Sequence, residues 1–98
     1  MALTLAECTE QLNAEQRLLV KADRDIEEGW QRIRDQEDRV RYLQAGGHDI
    51  CQAERLVDLL KQTVVEWERH RTLIEQRVIY LREQVDPESP GGGRRAVF

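Results

Sequence analysis

One column of apolar residues recurs every seven positions through the first half of the chain without a miss: Leu5, Leu12, Leu19, Ile26, Ile33 and Val40. A companion column three residues on is weaker, reading Cys8, Glu15, Ala22, Gly29, Gln36 and Leu43. The second half carries both columns. One is Ile50, Val57, Val64, Arg71, Val78 and Val85, and the other is Ala53, Leu60, Trp67, Ile74 and Leu81. Apolar residues alternating at spacings of three and four line one face of a helix and make the seam of a left-handed coiled coil. The expected fold class is therefore all-α, an antiparallel two-helix coiled-coil hairpin.

Local signals set the helix ends. Thr4-Leu5-Ala6-Glu7 is a capping box, in which a hydroxyl and a carboxylate exchange bonds with each other's backbone amides. The first helix should run from 5 to 45, about 60 Å at 1.5 Å per residue, and stop at Gly46-Gly47. Asp49 heads a looser box, Asp49-Ile50-Cys51-Gln52, so the second helix is expected over 50–85, up to Asp86-Pro87. A connection of about four residues forces the helices antiparallel. Folding there pairs positions whose numbers sum to about 95, bringing Gly29 against Glu66 and Trp67. Gly29 reads as a packing glycine that leaves volume for the indole, with a hinge or kink as the alternative. The hairpin domain is expected over 4–86, and the tail 87–98, PESPGGGRRAVF, as a disordered segment.

A two-helix core is thin. Leu56, Leu59, Leu73 and Tyr80 fall on a flanking stripe of the second helix, interrupted by Thr63, Glu66, His70 and Arg77, and Ile79 also lies off the seam. Trp30 stands beside the strong column of the first helix. Left in water these side chains make a long apolar strip, which small helical scaffolds commonly cover by oligomerising. The expectation is a homodimer forming a four-helix bundle, with a heteromeric protein partner on the same stripe as the alternative. The expected partner-binding residues are Trp30, Leu56, Leu59, Leu73 and Tyr80.

Composition narrows the function. The chain has 98 residues, 35% of them charged and only 5% aromatic, with a net charge of −4. No apolar run approaches the ~18 residues of a membrane span. The arginines at 32, 34, 39 and 41 are interleaved with Asp35, Glu37 and Asp38, which argues against a phosphate-tracking face. Glu28/Arg32, Asp35/Arg39, Glu37/Arg41 and Arg71/Glu75 are spaced to pair along their own helices. Arg71, on the apolar seam, is expected to bury its stem and carry its guanidinium to a carboxylate, or to fix register.

Cys8 and Cys51 stand too far apart along a hairpin to bridge, which suits a reducing, cytoplasmic setting. A Cys51 pair across a dimer axis and zinc held by His48 and Cys51 are the less favoured readings of the turn. The residue three before His70 is Trp67, so the Glu-x-x-His of a carboxylate-bridged metal bundle is absent. There is no phosphate loop, Gly-x-Ser-x-Gly elbow or His-Glu-x-x-His pair. No catalytic residue, cofactor or metal ligand is therefore expected, and the chain reads as a non-enzymatic interaction or structural module, a small adaptor or regulator. A nucleic-acid-associated regulatory dimer is the first alternative, and a bundle binding metal through its turn the second.

Gly47-His48-Asp49, the run AERLVDLL at 53–60 and the run WERHRTLIEQR at 67–77 resemble a group of very small bacterial proteins built as helical hairpins around a Gly-His-Asp turn. The resemblance spans roughly 26–82. It implies a hairpin and a bacterial cytoplasmic origin, and it carries no assigned activity.

Overall fold

A computed structural model describes residues 3–86. The tail 87–98, expected to be disordered, lies outside the described residues. Two helices make up the fold, α1 over Leu5–Ala45 and α2 over Cys51–Val85, and no strand occurs among the described residues.

Each end is closed by the chemistry its sequence supplies. The Glu7 amide donates to Thr4 Oγ1 at 3.1 Å, and the Thr4 amide donates to Glu7 Oε1 at 2.9 Å, completing the capping box of α1. At the other end the His48 amide donates to the Leu43 carbonyl at 2.9 Å and the Gly47 amide to the Gln44 carbonyl at 3.0 Å. These paired bonds are a Schellman motif, and they require a left-handed residue at Gly47, whose φ is +78°. The two glycines are thus not equivalent. Gly47 supplies the conformation, and Gly46 leaves room for the ring of His48, whose Cδ2 a Cβ at position 46 would approach to 2.9 Å. Asp49 Oδ1 accepts the Cys51 amide at 2.9 Å, and Ile50 enters through its carbonyl, which accepts the Glu54 amide. α2 therefore begins at Cys51, one residue later than the box spacing predicts.

The tertiary contacts divide into two packing units. Ala22–His70 form one; the other comprises the described parts of Met1–Lys21 and Arg71–Phe98. In the 22–70 unit, Ile33, Val57 and Val64 are buried, Gly29 lies beneath Val64 and Trp67, and Glu37 pairs with Lys61 at 3.3 Å. Rising numbers on α1 meet falling numbers on α2, so the helices run antiparallel. A Cβ at position 29 would stand 2.7 Å from Val64 Cγ2 and 3.2 Å from Trp67 Cζ3. The space is taken, as a packing glycine requires.

In the second unit Cys8, Leu12, Ile74, Val78 and Leu81 are buried, and Arg77 on α2 reaches Glu15 on α1 at 3.1 Å. Every buried residue among those described belongs to one of the four heptad columns. Leu5 departs from the expectation. It heads the strong column yet is 63% exposed, because the register that joins Glu15 to Arg77 sets it past the end of α2 at Val85.

Candidate interaction surface

Within residues 22–70 the sequence-derived candidates separate onto two sides of the hairpin. Successive helical residues turn by about 100°, so Trp30 and Glu37, seven apart, share an edge of α1. Glu37 is bound to Lys61 of α2, which marks that edge as the one where α2 presents Lys61. Leu56 and Leu59 precede Lys61 by five and two residues, and so stand about 140–160° around α2 from it. Trp30 is therefore not grouped with Leu56 and Leu59. All three remain open to solvent, at 39%, 43% and 53% exposure.

The Trp30 edge carries an open trough lined by Glu37, Val40, Arg41, Glu54, Val57 and Asp58, together with Lys61. Its charges are already engaged in part. Lys61 is held by Glu37, and Arg41 is hydrogen-bonded to Asp38. Glu37 was expected to pair with Arg41 along α1. The facing ammonium of Lys61 takes it instead, a partner that spacing along one helix does not reveal. Arg34 likewise donates to Gln31 at 2.8 Å and Arg69 to Glu66 at 2.6 Å, so these guanidiniums are turned to their own helix rather than to a common ligand.

In the other unit Leu73 and Tyr80 are 53% and 60% exposed on α2, on either side of Arg77. Arg77, an interruption of the apolar stripe in sequence, is tied across to Glu15, whose side chain is only 20% exposed. Glu15 Oε1 is within ion-pair distance of the guanidinium, yet it is buried without a well-aligned N–H donor. The contact is electrostatic more than a directed hydrogen bond. Leu18, three residues beyond Glu15 on the same side of α1, is 45% exposed and was not among the sequence candidates. Only its position beside the weak column could have flagged it. Arg71 keeps its side chain 31% exposed and brings Nη1 to 3.4 Å from Glu75 Oε1, the geometry of a packed stem with a solvated head.

At the turn, Cys51 is exposed and Cys8 is buried, and both thiols are free. The amide of Cys51 donates to Asp49 and holds that carboxyl below the usual carboxylate range. In return the Asp49 carboxylate, through hydrogen bonding and its charge, pushes the Cys51 thiol up. The pair favours a protonated, weakly nucleophilic sulfur. Among the described residues no group of three or more His, Cys, Asp and Glu side chains is placed to hold a metal ion. No helix among them is long and apolar enough to cross a membrane.

No protein-family model matches the chain, and it matches neither a curated protein nor a solved structure.

Proposed function

We propose that this chain is a non-enzymatic protein-interaction module, a small adaptor or regulator that works as a homodimer and binds through apolar residues displayed on α2. One observation carries the reading. Leu56, Leu59, Leu73 and Tyr80 are 43–60% exposed, although the same helix buries Val57, Val64, Ile74, Val78 and Leu81. Large apolar side chains repeated on flanking heptad positions cost solvation free energy in a lone hairpin and are stabilising once another helix covers them. Membership of the small bacterial hairpin group and a cytoplasmic setting belong to the same proposal.

Sedimentation equilibrium on the full chain tests it. The wild type should run at about twice its 11.5 kDa mass. Leu59→Glu with Leu73→Glu should run as a monomer of unchanged helicity by circular dichroism. A monomeric wild type at tens of micromolar, or a double variant that stays dimeric, overturns the reading.

A further inference from the structure

The buried seam is interrupted along both helices. On α1 no residue between Leu12 and Gly29 is buried, and on α2 none between Val64 and Ile74. The heptad positions inside those intervals are Glu15, Leu19, Ala22 and Ile26 on α1, and Trp67 and Arg71 on α2, each only half-buried. Two of them are charged, and Ala22 offers a single methyl group. The dry clusters fall in different packing units. Gly29, Ile33, Val57 and Val64 are buried in 22–70, and Cys8, Leu12, Ile74, Val78 and Leu81 in the second unit. Sections of a fold open together when they share buried contacts, and separately when the stretch joining them is partly solvated.

The two clusters are also tethered unequally. The 22–70 unit closes on the capped turn at Gly47, a loop of a few residues. With 22–70 open, the second unit would have to close a loop made of that whole stretch, at a larger entropic cost. The second unit therefore needs 22–70 to be closed, whereas 22–70 does not need the second unit. We infer that the hairpin has a built-in, partly open state, in which residues 3–21 and 71–86 separate while 22–70 stay closed around the turn. That opening bares Leu12, Ile74, Val78 and Leu81, an apolar face that the closed hairpin conceals. With them it bares the free thiol of Cys8, which is 7% exposed when closed. The inference goes beyond the reading of the outer stripe of α2 as an interface, because the side chains it exposes are those of the seam.

Cys8 reports the opening. In a Cys51→Ser background that removes the exposed thiol, the rate at which iodoacetamide labels the folded full chain measures how often Cys8 is bared. Ile74→Val should speed labelling about 2- to 10-fold, since the packing it loses lies wholly in the part that opens. Ile33→Val, at a site equally buried in the 22–70 unit, should lower the denaturant midpoint and leave the labelling rate unchanged. Equal acceleration by the two variants would mean that only global unfolding bares Cys8. No acceleration by Ile74→Val would mean that the first turns of α1 merely fray. Either result overturns the inference. Native-state hydrogen exchange on the unaltered chain is the second readout. Amides of 74–81 should exchange through an opening about 10-fold or more frequent than the one that exposes amides of 57–64. One common opening free energy for both sets overturns the inference as well.

Discussion

In residues 22–70 the weak column of α1 places Gly29 under Trp67, whereas in the other unit the same column places Glu15 against Arg77. Both positions break an apolar heptad, and they do so by opposite means. At Gly29 the side chain is removed so that a large one opposite can fill the space, and the gain is dispersion and buried area. At Glu15 a charged side chain stays on the seam because an arginine reaches over to it, one-fifth exposed and therefore still in contact with solvent. A heptad position that fails to be apolar can thus still specify pairing, through shape in one region and through charge in the other.

The largest expected effects test whether the two regions are equally committed to burial. Ile33→Ala and Ile74→Ala, each 2% exposed in the native chain, should cost about 2–5 kcal/mol in denaturant unfolding. Leu60, which is only half-buried, should sit at the low end, about 2 kcal/mol for Leu60→Ala. A loss at Ile74 well below that at Ile33 would mark the 71–86 region as loosely closed.

Next is the contrast between shape and charge. Gly29→Ala gains about 1 kcal/mol in helix propensity but drives its methyl into stiff, buried Val64, at a cost of about 1–3 kcal/mol. The expected net is destabilisation, relieved when Val64→Ala is added. A stabilised Gly29→Ala would refute the packing role. The Glu15–Arg77 pair should give a coupling of about 0.2–1 kcal/mol in a double-mutant cycle, falling with added salt. Glu37–Lys61, with both side chains more exposed, should give less.

The smallest effect concerns the turn. Because the native Asp49 pKa is lowered, its contribution is present above the ordinary aspartate range and is lost as pH falls through the lowered native value. The same carboxylate raises the Cys51 thiol, so Asp49→Ala should speed alkylation of Cys51 at neutral pH. An unchanged rate would show that Asp49 does not govern the thiol.

Much of this architecture was legible because the heptad is a one-dimensional record of burial. The seam, the capping box at Thr4, the turn at Gly46-Gly47 and the meeting of Gly29 with Trp67 all follow from spacing and residue type. What spacing could not disclose was anything that depends on the angular setting of one helix against its neighbour. Glu37 has Arg41 one turn away in sequence and Lys61 opposite it in space, and nothing in the chain ranks the two. For the same reason Trp30 was grouped with the leucines of α2, from which the Glu37–Lys61 edge separates it. Gly47 and Gly46 also read alike as letters, and the structure distinguishes them by the backbone angle of the first and by the His48 ring packed against the second.

The notch at Gly29 has one more consequence. Repeating seams are prone to misalignment by a whole repeat, since leucine and valine look much the same one heptad along. Here such a slip would seat the indole of Trp67 on Gln36 in one direction or on Ala22 in the other, where there is no recess to receive it. A single missing side chain therefore serves as an index mark, letting an otherwise monotonous zipper close in one alignment.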